Sequence, residues 1–183
     1  MQVGRGCKSG LIGTVETAPL IVTGLLPHDL HRWASALRRS HFPPERNFLD
    51  AHVTLFHALP GPYERQVAAA LAIEGAGSAP VAATLTGIMS LGRGTALRIE
   101  SAALLALRAR LAGRFHGLMT AQDSHPPRLH ITVQNKVSPD AAKALQRQLA
   151  DLVRPRGFAF RGLGLYRYLG GPWELIREYP FRG

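Results

Sequence analysis

Two stretches decide how this chain is read: AHVTLFHALP at residues 51–60 and LHITVQNKV at residues 129–137. Both write histidine, an apolar residue, threonine and another apolar residue. Side chains on a β-strand alternate between faces, so His52 and Thr54 share one face and Val53 and Leu55 the other. His130 and Thr132 stand in the same way against Ile131 and Val133. In each strand the apolar pair can anchor a core while His and Thr face a cleft.

The surroundings of the two stretches repeat as well. Before the first lies a helical pattern, with Leu30, Trp33, Ala34 and Leu37 at three-and-four spacing and basic residues at its end, where the helix dipole favours them. A loop follows that contains His41, Pro43, Pro44 and Arg46, then the His-x-Thr strand, then a helix opened by Pro62 and stopped at the Gly and Ser cluster 75–78. The second half has a helix capped by Ser101 with an apolar side of Leu104, Leu105, Leu107, Leu111 and Phe115. A loop with His125, Pro126, Pro127 and Arg128 leads to the second His-x-Thr strand, and Ser138 and Pro139 cap and open the next helix. Internal duplication is the simplest account, with the two strands expected side by side at the centre.

The remaining elements read as strands. Residues 20–26 are an apolar run closed by Pro27, and 80–99 form two strands joined at LGRG. FAFRGLGLYRYL and WELIREYPF form a closing hairpin across Gly170, Gly171 and Pro172. Residues 1–17 are Gly-rich and pattern-poor and read as a tail, leaving 18–183 as a single two-lobed domain, a size that buries one substantial core.

Lys and Arg number 22 against 12 Asp and Glu, which biases the surface toward anionic partners such as nucleic acid or phosphate esters. The single cysteine, Cys7, rules out an internal disulfide framework and a cysteine-based zinc site, and fits a reducing cytoplasm. No run approaches the roughly 18 apolar residues of a membrane span, and MQVGRGCKSG lacks the apolar centre of a signal peptide. A Gly-rich phosphate loop with its lysine is missing, which disfavours an ATP-dependent kinase or ligase.

Two imidazoles and two hydroxyls converging on one cleft suit phosphoryl transfer between oxygens. The reaction needs a base at the entering oxygen and an acid at the leaving one, and histidine serves either role near neutral pH. Threonine hydroxyls can donate to the nonbridging oxygens without a metal. A metal site is the competing chemistry, since Asp50 shares a strand face with His52; such sites usually add a third protein ligand.

HVTL at 52–55 and HITV at 130–133 strongly resemble the paired motif of the 2H phosphoesterase superfamily, its bacterial 2'-5' RNA ligase-like (LigT-like) branch in particular. The resemblance covers the chain from about residue 18 onward. It implies an α+β fold, bilobal and pseudo-twofold, with antiparallel sheets lining a central cleft and helices outside. It implies cofactor-free and metal-independent chemistry on 2',3'-cyclic phosphates or 2'-5' linkages, with RNA ends or a small cyclic nucleotide as substrate. By motif position His52 and His130 are the acid and base pair and Thr54 and Thr132 the phosphate-orienting hydroxyls. For hydrolysis of a cyclic phosphate, the expectation is His130 as base and His52 as acid.

Strand alternation extends the cleft-facing rows to Phe56 in the first stretch and to Arg128, Gln134 and Lys136 in the second, provided the strands run without a bulge. Arg128 or Lys136 would hold phosphate charge, and Phe56 would support a base or pack the cleft floor. Tyr166, Tyr168 and Trp173 are stacking residues for a nucleobase or packing residues of the hairpin. The expected protein is a cytoplasmic monomer. The alternative function is a non-catalytic RNA-binding or nucleotide-binding module that uses the same basic cleft.

Overall fold

The apolar run at the start becomes β1 (Leu20–Leu25), buried over its whole length. It is buried because it is an inner strand, with β2 (Val53–Leu59) and β7 (Gly162–Tyr168) paired antiparallel on either side. The computed structural model describes residues 17–183, so the expected tail, Thr17 excepted, and Cys7 lie outside the described residues. β8 (Trp173–Pro180) completes a four-stranded sheet of order β2-β1-β7-β8. A second antiparallel sheet has the order β5-β4-β3-β6, from β3 (Val81–Ser90), β4 (Thr95–Glu100), β5 (His130–Gln134) and β6 (Arg156–Phe160).

Four helices accompany the sheets: α1 (His28–His41), α2 (Glu64–Gly77), α3 (Ala102–Arg114) and α4 (Pro139–Ala150). Ser101 Oγ accepts from Leu104 N at 3.1 Å, and Ser138 Oγ accepts from Ala141 N at 3.2 Å, so both serine caps form. The duplication is plain in the topology. β1-α1-β2-α2 corresponds to β4-α3-β5-α4, and in each unit the His-x-Thr strand is the edge of its sheet. The mixed α+β architecture with two antiparallel sheets is as expected.

Two details differ from the sequence reading. First, β2 and β5 are not hydrogen-bonded neighbours within one sheet. Each is an outer strand, and the two approach across the junction between sheets, with Cα pairs within 8 Å. Second, FAFRGLGLYRYL is two strands divided at Arg161: β6 pairs with β3 in one sheet, β7 with β1 and β8 in the other. Arg161 is the crossing point, its N–H donating to Leu25 O at 2.8 Å and its carbonyl accepting from Phe181 N at 2.8 Å. The alternation of residues continues straight through the crossing, which hides it in the sequence. Close contact enforces it: a Cβ on Gly162 would lie 2.4 Å from Tyr179 O, and one on Gly24 would lie 2.8 Å from the Phe160 ring.

Candidate active site

The register of the two edge strands decides which side chains reach the cleft. On β1, Thr23 faces Thr54 while Val22 faces Phe56, so Leu55 is an extra residue. On β4, Ala96 faces Thr132 while Thr95 faces Gln134, so Val133 is an extra residue. A bulge therefore follows the motif threonine in both copies, and a bulge breaks the simple alternation. Phe56 turns inward, fully buried, with its ring edge-to-face on Phe115 at 5.3 Å and Arg108 stacked over it at 4.6 Å. Gln134 is 8% exposed, and its Oε1 is buried without a hydrogen-bond partner among the described residues. Neither residue extends the cleft row.

Lys136 does not extend it either. It lies beyond the end of β5 with φ of 57°, exposed, its N–H donating to Asn135 Oδ1 at 2.8 Å. Arg128 is exposed and borders an open groove of about 600 Å³ shared with Arg98, Leu105 and Leu129. Tyr168 sits exposed at the end of β7, paired with Trp173 across the hairpin, and lines neither recess at His52. Aromatic residues do reach the site, among them Trp173, whose ring centroid is 4.6 Å from that of His52, and Tyr166, 5.8 Å from Trp173. Phe48, Trp173, Tyr166, His31 and Asp50 line a recess of about 260 Å³ beside His52, and a second of about 250 Å³ adjoins it with Thr23, His28, Arg161 and Glu178.

The motif histidines are held alike. His52 Nδ1 lies 2.7 Å from Asp50 O and His130 Nδ1 lies 2.7 Å from Arg128 O. A carbonyl only accepts, so each Nδ1 carries a proton and each Nε2 is left to exchange one. Burial pushes the His52 imidazole down to about 4 against the opposing bond to Asp50 O, and the nearby charges of Arg38, His130 and His57 push it further.

This depressed value has a consequence for stability. The unfolded chain binds a proton at His52 near the ordinary imidazole value of about 6.5, whereas the folded chain resists it until about 4. Stability is therefore complete above the unfolded value and declines as pH falls through that window. His52→Asn is expected to flatten urea midpoints between pH 6.5 and 4 relative to the wild type; parallel curves would show that folding does not lower the proton affinity of this imidazole.

Two arginines that the sequence reading did not single out are buried at the junction. Arg38 of α1 donates through Nη1 to Thr132 O at 2.7 Å, through Nε to Leu49 O at 3.1 Å and through Nη2 to Asn47 Oδ1 at 3.0 Å. Desolvation lowers its guanidinium to about 10, with Asp50 acting the other way. Arg108 of α3 donates through Nε to Leu55 O at 3.4 Å and through Nη2 to Asp123 O. Each helix thus sends an arginine to the motif strand of the opposite sheet. A signal was available: Arg38 continues Leu30 and Ala34 at four-residue spacing, and Arg108 stands between Leu104 and Leu111 on the apolar stripe.

A third histidine enters with Asp123, 1% exposed in the α3–β5 loop. Its carboxylate accepts from His57 N at 2.9 Å, from Ala58 N at 3.0 Å and from His57 Nδ1 at 3.0 Å. Burial opposes ionisation of Asp123, but these bonds prevail and hold its carboxyl below the usual range. The bulge returns His57, and not Phe56, to the face of His52 and Thr54. Among the described residues no group of three His, Cys, Asp or Glu side chains is placed to hold a metal ion.

The model of the 2'-5' RNA ligase superfamily matches residues 26–172, most of the chain. The chain belongs to the 2'-5' RNA ligase superfamily. Both motif strands fall inside the match, and solved structures share the fold seen here. TT0787 of Thermus thermophilus is 18% identical with a TM-score of 0.63, over 90% of this chain and 98% of that one. A protein described as a phosphoesterase is 20% identical with a TM-score of 0.60, over 91% and 99%. LigT of E. coli, solved with 3'-AMP, is 18% identical with a TM-score of 0.60, over 91% and 99%. At such identities the likeness is one of fold. No curated protein matches the chain significantly in sequence. Among the described residues no helix is long and apolar enough to cross a membrane.

Proposed function

We propose that the chain is a phosphoesterase that opens 2',3'-cyclic phosphates, or splits 2'-5' phosphodiesters, by acid and base catalysis at His52 and His130. The observation that carries this reading is the matched presentation of the two imidazoles, each with Nδ1 tied to a backbone carbonyl two residues before it and Nε2 free. Membership of the superfamily supports it.

The lowered proton affinity of His52 leaves its Nε2 unprotonated at neutral pH, which suits the base. We therefore assign the roles in the opposite sense to the sequence expectation, with His52 as base and His130 as acid. His52 Nε2 takes a proton from water as the water oxygen bonds to phosphorus. The bond from phosphorus to one ribose oxygen breaks, and His130 Nε2 gives that oxygen its proton. A nucleoside monophosphate leaves, and the two histidines have exchanged protonation states until solvent restores them. The Thr54 and Thr132 hydroxyls donate to the nonbridging oxygens, where donors fixed in advance stabilise charge most effectively. The recess of Trp173, Tyr166 and Phe48 receives the base of the nucleoside.

The test is turnover of nucleoside 2',3'-cyclic phosphates and of a 2'-5'-linked dinucleotide in EDTA, with the product isomer identified. Conversion to a single monophosphate isomer is the expected result, and the isomer names the oxygen that His130 protonates. Binding of both substrates with no product from either would reject the catalytic reading.

A further inference from the structure

The two sheets are joined by reciprocal bridges whose ends fall on the motif strands themselves. Arg38 runs from α1, which leads into β2, to the carbonyl of Thr132 in β5, and its other two bonds tie down Leu49 and Asn47 in the loop before His52. Arg108 runs from α3, which leads into β5, to the carbonyl of Leu55 in β2, and its second bond ties down Asp123 in the loop before His130. Both arginines are buried, 3% and 4% exposed, and each guanidinium lies over an aromatic ring, Phe42 at 4.4 Å and Phe56 at 4.6 Å. Each arginine thus fixes three things at once: the loop that delivers one histidine, the strand that carries the other, and the distance between them.

We propose, building on the two-histidine reading above, that Arg38 is a positioning residue of the reaction, holding the Thr132 and His130 arm in register against His52, with Arg108 as its counterpart on the Thr54 arm. Neither needs to touch the substrate. Thr132 gives its carbonyl to Arg38 and its hydroxyl to the cleft, so a shift in the one moves the other. Near-attack geometry is sensitive to displacements of about 1 Å, which can cost roughly 100-fold in rate. A guanidinium fork can hold three acceptors in one plane, and a lysine ammonium on a flexible stem cannot reproduce that.

Bonded to Leu49 O three residues before His52, Arg38 also acts through its charge, which disfavours protonation of that imidazole. The other charged and titratable groups near His52 are His130, His57 and Asp50, and, along the two recesses beside it, His28, His31, Tyr166, Arg161 and Glu178. A lysine at position 38 keeps the charge and loses the fork; a methionine loses both. The two variants separate geometry from electrostatics.

The experiment combines steady-state kinetics on a 2',3'-cyclic nucleotide with NMR titration of the His52 ring in the wild type, Arg38→Lys, Arg38→Met and Arg108→Lys. Arg38→Lys and Arg108→Lys are expected to lower kcat by at least about 10-fold, with KM within about 3-fold, and to leave the His52 titration in place. Arg38→Met is expected to lower kcat further and to move the His52 titration to higher pH, because removing a neighbouring cation eases protonation. A purely structural arginine would lower the urea midpoint in Arg38→Met without moving that titration. A rise in KM with kcat unchanged in Arg38→Lys would make Arg38 a substrate ligand and overturn the proposal, as would wild-type kinetics in that variant. Absence of turnover in the wild type would reject the two-histidine reading instead. The NMR titration still decides the electrostatic claim in that case: a His52 curve unmoved by Arg38→Met would overturn it.

Discussion

Replacing either His52 or His130 by alanine is expected to lower kcat/KM on a 2',3'-cyclic nucleotide by about 10³-fold or more, close to 4 kcal/mol of transition-state stabilisation. Each imidazole handles one of two protons that move in the same step, so losing one strands the other. The double variant is accordingly expected to be little worse than either single one, since groups that act as a unit are far from additive. Residual turnover should come from the hydroxyls of Thr54 and Thr132, which do not depend on the histidines for their place. The pH profile separates the roles. In the wild type the free enzyme's kcat/KM should hold on the acid side until the pH nears the depressed His52 value of about 4. In His52→Ala that acid limb should disappear while the limb set by the general acid remains. Loss of the other limb in its place would exchange the assignments, and additive losses in the double variant would argue against a concerted pair.

The second large effect is expected at Asp123, on stability. Its carboxylate is buried and accepts from two backbone N–H groups on β2 and from the His57 ring. Asp123→Ala leaves those donors without an acceptor at the junction of the sheets and removes an ionised group beside Arg108, at a cost of about 3 to 5 kcal/mol. Asp123→Asn keeps one acceptor oxygen and the shape, and should cost less than half as much. The pH dependence has a definite sign. A carboxyl whose folded value lies below its unfolded one, near about 3.9, adds stability that is complete above that unfolded value and is lost as pH falls through the folded value. Asp123→Asn should therefore flatten the acid limb of stability below about pH 4, separately from the His52 window above it. Urea midpoints measured across pH for the two variants test both at once. Equal midpoints for wild type and Asp123→Ala would show that β2 does not depend on this carboxylate.

Much of this was legible because it is local. The His-x-Thr alternation placed Val53, Leu55, Ile131 and Val133 in the core, all four fully buried, and left His52, Thr54, His130 and Thr132 partly exposed. The serine caps, the Gly170 turn and the repeated order of elements followed from residue types with strong conformational preferences. The errors at Phe56 and Gln134 share one cause. Extending the alternation past the motif assigned Phe56 and Gln134 to the cleft, and a bulge at Leu55 and another at Val133 reversed both. A bulge is chosen by how a strand meets its neighbour, and no residue in FHALP or QNKV announces it. The buried arginines had a helical-spacing signal, but an arginine is ordinarily read as solvated because its burial needs acceptors, and here those acceptors come from the opposite sheet.

The amino-acid sequence by itself determined most of the elements, their duplicated order and the alternation of the paired motif, because those depend on strand and helix periodicity and on caps and turns within a few residues. The tertiary structure alone decided that the motif strands are facing edges of two sheets, that the chain crosses between sheets at Arg161, and that Arg38, Arg108 and Asp123 join the halves. Those outcomes depend on hydrogen bonds between groups far apart in the chain, such as Arg38 and Thr132 or His57 and Asp123, whose partners exist only once both sheets have formed.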